Sequence, residues 1–328
     1  MQKKIIKVIN PTIKEWDEIW NECKYATFFH SREWAELWYQ YSNKKLIPDP
    51  KILLFNDNVK ILLPFTYRTH FHRLIKEYVS SPAGTYGSWI SSDRILPEHS
   101  ELTEKYIKKK IKNISLRINP YNKHISELII NQSRYDFTQA INLTIGFASV
   151  RENLKKKYPS SIRKVNQAIK GGVSIRQGVS LEDWENYFDL YSRSLERWGN
   201  KVSSSYGWQL FYNMYLSESS NIKLWLSEYD SRIIAGGIFF YSRCHVIYWH
   251  GATNEKYFKL RPVNLLMQET IRNACENGYH WFDFNPSGGH EGVVNFKNTF
   301  NPEKLKCPVV KTRSIMRKFV DLLPEKLR

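Results

Sequence analysis

The sequence predicts an α+β fold made of two copies of one unit, and three observations carry that reading. The chain has 328 residues, about two domains' worth at roughly 150 residues each. Four landmarks recur in one order at offsets of 166 to 174 residues, the self-similarity of a duplicated architecture. Each copy also sets a strand-turn-strand pattern after two aromatic helices.

The elements follow in order. Thr12-Ile-Lys-Glu-Trp16 and Ser180-Leu-Glu-Asp-Trp184 each open an amphipathic helix behind a hydroxyl residue that can cap it. A second aromatic helix comes next, Ser31 to Tyr41 in one copy and Ser205 to Tyr215 in the other. Strands are expected at Lys51 to Phe55 and Val59 to Tyr67 around Asn56-Asp57-Asn58, and at Ile222 to Glu228 and Arg232 to Tyr241 around Tyr229-Asp230-Ser231. Third strands end near Val79 and Gly251. Helices over Glu101 to Asn113 and Val263 to Asn277 then lead into strands ending Asn119-Pro120 and Asn285-Pro286. The boundary is drawn at 146/147, giving domains 1–146 and 147–328, where charge density rises and Pro159-Ser160-Ser161 breaks the pattern.

Composition excludes several classes. With 42% hydrophobic residues and 11 Trp, 20 Tyr and 17 Phe the chain buries a core and is not a disordered chain. Its longest apolar run is the nine residues Ile233 to Tyr241, far short of the roughly 18 to 20 that a spanning helix needs. The basic N-terminus lacks the apolar stretch of a signal peptide, so a cytoplasmic location is expected. Cys23, Cys244, Cys275 and Cys307 are too scattered for a disulfide framework or a zinc site, and no metal site is expected.

The net charge of +17 calls for an anionic partner. Residues 151 to 170 hold seven basic side chains and one acid, net +6, with Arg163-Lys164 placed to read phosphates. Lys105, Lys108, Lys109 and Lys112 fall on one helical face and read as a solvated stripe. Ile315 to Leu323 forms a basic amphipathic segment before Pro324, which is expected to pack on its own domain or to rest on an anionic membrane surface.

Phe28-Phe29-His30-Ser31-Arg32-Glu33-Trp34, Arg163 to Ala168, Tyr257 to Pro262 and above all Phe282-Asp283-Phe284-Asn285 with Gly288-Gly289 and Phe296-Lys297-Asn298-Thr299-Phe300 carry a family likeness. Over essentially the whole chain the sequence resembles the Fem-type aminoacyltransferases, the lipid II peptidyltransferase family, built from two tandem GNAT-like acyltransferase domains. The resemblance implies transfer of an amino acid from aminoacyl-tRNA to an amine of a peptidoglycan precursor, and the wider family includes acyl-CoA users. The helical arm that some members insert has no room between Gly199 and Asn221.

Attack of an amine on an ester or thioester builds negative charge on oxygen, and a fixed cation beside that oxygen is a large catalytic effect. The resemblance assigns that place to Lys297 and lines the reacting cavity with Phe296. Asn285, Gly288 and Gly289 follow a strand, where their backbone N–H groups can approach an anion or carbonyl. Asp283 and His250 are the candidate proton acceptors. Tyr86 and Tyr191 are candidates for stacking on the acceptor. Arg261 precedes a helix opened by Pro262, where phosphate binds, although Lys259 to Asn264 lacks the glycine of CoA-binding loops.

The expected function is therefore an acyl- or aminoacyltransferase acting on an amine of a peptidoglycan- or polysaccharide-type precursor. It holds no tightly bound cofactor and uses either aminoacyl-tRNA or acyl-CoA as donor. Two alternatives are an acyl-CoA-dependent N-acyltransferase of amino sugars or small amines, and a non-catalytic nucleic-acid-binding protein on the same fold.

Overall fold

A computed structural model of the chain describes residues 2–71, 74–124, 134, 136–199 and 205–317. The expected amphipathic stretch from Lys318 through Pro324 and the side chain of Trp198 lie outside these. Two compact units result, Met1–Phe137 with Lys306–Arg328, and Thr138–Leu305. This division differs from the one expected at 146/147. A strand just after Phe137 supplies a sheet neighbour to the second unit, while a strand at Val309–Thr312 pairs back into the first.

In the first unit β1 (Ile5–Ile9) precedes α1 (Ile13–Glu22) and α2 (Arg32–Tyr41). Thr12 caps α1 as a full box: its hydroxyl accepts from Glu15 N at 3.2 Å, and its own N–H donates to the Glu15 carboxylate at 2.9 Å. Ser31 caps α2 by accepting from Trp34 N at 3.0 Å. There follow β2 (Ile47–Pro48), β3 (Lys51–Phe55), β4 (Lys60–Leu63), β5 (Thr66–His70), β6 (Ile75–Val79), α3 (Pro97–Lys110) and β7 (Ile114–Arg117). The single strand expected over Val59 to Tyr67 is two strands in two sheets. β4 lies in a three-stranded sheet ordered β1-β3-β4, and β5 joins β2, β6, β7 and the Val309–Thr312 strand. The break falls at Pro64, whose nitrogen carries no hydrogen for a ladder. Leu53, Phe55, Ile61, Phe65, Trp89 and Ile107 form the core of this unit.

The second unit builds one seven-stranded sheet. It begins with β8 (Phe137–Asn142), then α4 (Phe147–Lys157), α5 (Pro159–Lys170), β9 (Ser174–Gly178), α6 (Leu181–Trp198) and α7 (Trp208–Leu216). Ser180 and Asp183 repeat the capping box of the first unit, with Asp183 N donating to the Ser180 hydroxyl at 3.1 Å and Ser180 N donating back at 3.2 Å. A meander of β10 (Ile222–Tyr229), β11 (Arg232–Tyr241) and β12 (His245–Thr253) leads to α8 (Pro262–Glu276), β13 (Trp281–Asp283), α9 (Glu291–Asn298) and β14 (Glu303–Lys306). Strand order is β14-β8-β13-β12-β11-β10-β9. Phe239, Tyr241, Leu266, Met267, Phe282 and Phe284 fill the core against α8.

The parallel step between β12 and β13 is short. His245, Val246 and Ile247 pair with Trp281, Phe282 and Asp283, after which β13 ends and β12 runs on to Thr253. The register of β12 against β11 also slips, Ile238 facing His250 and Phe239 facing Tyr248. Trp249 is thus an extra residue in the strand, a bulge of the kind that bends strands and re-aims side chains beside functional sites.

Candidate functional site

Where β13 stops, a cavity of about 580 Å³ lies beside the remaining length of β12. Its lining includes Tyr248, Gly251 and Thr253 from β12, Asn295 and Phe296 from α9 with Thr299 just after it, and the basic Lys164, Arg197 and Arg261. Gly251 is required sterically: a β-carbon there would sit 1.8 Å from the Tyr248 hydroxyl. Arg261 adopts the left-handed conformation (φ 58°) as the residue before α8, and Pro262 takes the first helical position. No glycine stands where backbone would approach a phosphate, so Arg261 and Lys164 offer side chains instead. Arg197 is a lining residue the sequence reading missed. Its guanidinium lies 5.2 Å from the Phe258 ring centre and 3.5 Å from the Glu255 carboxylate; its position at the end of a helix gave no signal of either contact.

Lys297, which follows the lining residue Phe296, is only 4% exposed and is not itself among the lining residues. It lies on α9, a helix that the sequence reading did not place. Its ammonium donates to the Asn285 carbonyl at 2.7 Å and the Ser287 hydroxyl at 2.9 Å, leaving one of its three N–H donors. Burial pushes this ammonium down to about 8, against an upward pull from Asp283. Phe296, its neighbour, faces the cavity and packs edge-on against Phe300 at 5.2 Å.

Asp283 is fully buried. It accepts from the Thr138 hydroxyl at 2.6 Å and from Asn285 N at 2.7 Å, which ties the end of β13 to β8 and to the following turn. Asn285 itself is left-handed (φ 61°), and its side-chain oxygen is buried without a hydrogen-bond partner. Gly288 and Gly289 take φ of 59° and 86° in an exposed turn and do not line the cavity.

The other sequence candidates fall elsewhere. Arg163 is exposed on α5, while Lys164 beside it reaches the cavity, as the 100° step of a helix dictates. The His250 Nδ1 shares a hydrogen bond with the Tyr187 hydroxyl at 2.6 Å, and its ring lies 4.3 Å from that of Tyr191. Burial there pushes the imidazole down to about 3, so it is neutral and a weak base. Tyr191 is buried, with its hydroxyl accepting from Tyr206 N at 3.0 Å. Tyr86 is fully buried in the first unit, edge-on to Phe29 at 5.2 Å. None of the four cysteines forms a disulfide. Among the described residues no cluster of metal-ligating side chains occurs, and no helix is long and apolar enough to cross a membrane.

Comparison with known proteins bears on the fold. Residues 149–298 match the acetyltransferase (GNAT) domain family. The fold is similar to the crystal structure of FemX, with a TM-score of 0.74 at 10% identity over 96% of this chain and all of that one. It is also similar to a conserved protein of unknown function from Bacteroides thetaiotaomicron (TM-score 0.54, 10% identity, 94% of this chain and 100% of that one). A third likeness is to the C-terminal domain of a putative lysylphosphatidylglycerol synthetase from Agrobacterium fabrum (TM-score 0.52, 10% identity, 83% and 89%). No curated protein matches the sequence. Residues 149–298 thus carry an acetyltransferase (GNAT) domain match, consistent with an acyltransferase, and over nearly its whole length the chain has a fold similar to that of FemX.

Proposed function

We propose that the chain transfers an activated aminoacyl or acyl group to an amine of a cell-envelope precursor, and that the cavity beside β12 receives the donor. The observation that carries this reading is the lining of that cavity. It brings Lys164, Arg261 and the first residues of α8 together with Phe296, which Lys297 directly follows in sequence. A donor with a phosphate-bearing handle and a reactive carbonyl matches that arrangement, since a helix N-terminus with nearby cations favours anions. Absence of a glycine before α8 favours aminoacyl-tRNA over CoA, because the phosphate is met by side chains rather than by close backbone approach. The name of one structural neighbour, a lysylphosphatidylglycerol synthetase, describes an aminoacyl group joined to an envelope lipid.

In the reaction the neutral amine attacks the donor carbonyl, forming a C–N bond and an oxyanion. Lys297, held by Asn285 and Ser287, offers its remaining N–H to that oxygen. The donor's C–O or C–S bond then breaks, the leaving group takes a proton, and the amine gives one up to water. Asp283 serves as a fixed acceptor that shapes the Asn285 turn and takes no proton in this scheme.

The test is a donor screen with purified protein and envelope-precursor extracts, reading mass gain on the acceptor with and without RNase. RNase-sensitive transfer from a charged tRNA pool is the expected result. Transfer that survives RNase and follows added acyl-CoA would replace the tRNA donor, and no transfer from any donor would overturn the reading. Tight, salt-sensitive nucleic-acid binding by an inactive protein would support the non-catalytic alternative.

A further inference from the structure

The basic end of α3 and the last described turn of the chain meet on one surface of the first unit. Thr312, at the end of β15 (Val309–Thr312), pairs with Ile114 on β7, and its hydroxyl donates to the Lys112 carbonyl at 3.1 Å. Two residues later Ser314 N donates to the Asn113 side-chain oxygen at 2.7 Å. These contacts set Arg313 beside the segment that leaves α3, where Lys109, Lys110 and Lys112 are exposed, as Arg313 is. Neither 105–119 nor 304–317 contains an acidic residue.

Ile315, Met316 and Arg317 then open a helical turn. Arg317 fixes the direction this turn faces. It is buried, its guanidinium meets the buried Glu77 carboxylate at 3.2 Å, and its backbone N–H donates to the Ser314 hydroxyl at 3.2 Å. Helical neighbours step by about 100°, so an inward Arg317 turns Ile315 and Met316 outward. Ile315 is 88% exposed, the highest value of any large apolar side chain among the described residues, and Met316 is 59% exposed. Removing either from water would be favourable. Exposure this complete belongs to a projection rather than to a groove.

We propose that this surface seats the protein on an anionic lipid membrane, with Ile315 and Met316 entering the boundary between headgroups and acyl chains while Lys109, Lys110, Lys112 and Arg313 meet the headgroup charge. Apolar side chains flanked by cations are the pattern of interfacial binding. Each lysine near an anionic leaflet adds attraction that falls away within a Debye length. Charge complementarity selects this occupant. Four exposed cations on two segments free of acids suit a continuous sheet of negative charge, and lysine, a point charge on a flexible stem, suits headgroups whose positions vary. A projection offers no concave wall to hold a folded acidic partner. The surface does not depend on the transfer reaction assigned to the second unit.

The probe is a vesicle of mixed phosphatidylglycerol and phosphatidylcholine, co-sedimented with the full-length protein at low ionic strength beside vesicles of phosphatidylcholine alone. Binding to the anionic vesicles only, weakened by added salt, is expected. Ile315→Ser with Met316→Ser lowers the partition coefficient at least tenfold, and Lys109→Ala with Lys112→Ala lowers it severalfold. Two controls in the second unit leave it within twofold: Val179→Ser at an exposed apolar position, and Lys155→Ala with Lys157→Ala at exposed basic ones. Thermal melts establish that each variant is folded. The proposal is overturned by absence of binding, by equal binding to both vesicles, by equal losses in the controls, or by full binding when Ile315 and Met316 are changed. It is also overturned if polyglutamate binds more tightly than the vesicles do and through the same two apolar side chains. Vesicle binding by a protein that transfers nothing would leave this surface standing and sink the transferase reading alone.

Discussion

At the scale of single residues, Lys297 is the most informative side chain. Its protonation links chemistry to stability in opposite directions. Below about pH 8 the ammonium is charged in both folded and unfolded chains. Between about 8 and the unfolded value of roughly 10.4 the unfolded chain holds more protons, so stability rises with pH across that window. Under the proposed function oxyanion stabilisation needs the cation, so transfer should fall over the same window. A pH-rate profile with a descending limb near pH 8, beside denaturation midpoints that climb, is the expected pair of results. Lys297→Met, which keeps the volume and removes the charge, should lower turnover by about 10²-fold while melting normally. Unchanged turnover would remove the lysine from the mechanism. Gly251→Ala places a methyl against the Tyr248 hydroxyl; it should cost about 1–3 kcal/mol of stability and reshape the donor cavity. Adding Tyr248→Phe should recover part of that loss in thermal melts.

At the scale of elements, the short β12–β13 pairing and the start of α8 matter most. Three paired residues hold β13 to β12, and the cavity lies beside β12 beyond them. Under the proposed function, Lys164→Ala with Arg261→Ala should raise the donor KM about tenfold or more and flatten its salt dependence with little change in kcat. An equal loss in kcat would mean these side chains act at the carbonyl instead. The helix caps provide a contrasting case. Ser180→Ala removes the acceptor for Asp183 N and should cost about 1 kcal/mol without altering donor affinity. Much at this scale was readable in advance. Both hydroxyl caps, the β10–β12 meander and α8 lie where their residues put them, because cap chemistry and two-residue alternation are local, whereas the first meander is split between two sheets. Pro64 also had a local meaning that the longer apolar pattern around it obscured.

At the scale of the molecule, the C-terminal strand tests how the chain is partitioned. Val310 is 7% exposed and belongs to the core of the first unit. Val310→Asp would bury a charge without a partner. Hydrogen exchange should then accelerate across β3 to β7, and leave β9 to β13 protected. Acceleration confined to the second unit would contradict the assignment of this strand. The fold class and its two-unit architecture were available from the sequence, since repeats and caps are written along the chain, and the acyltransferase character came from the family resemblance carried by its motifs. Tertiary structure decided three other things. It showed that Lys164 rather than Arg163 lines the cavity beside β12, that His250, Tyr191 and Tyr86 belong to aromatic cores, and that the Val309–Thr312 strand completes the first unit. Each depends on which face of an element meets which neighbour, and that is settled by packing between segments far apart in sequence.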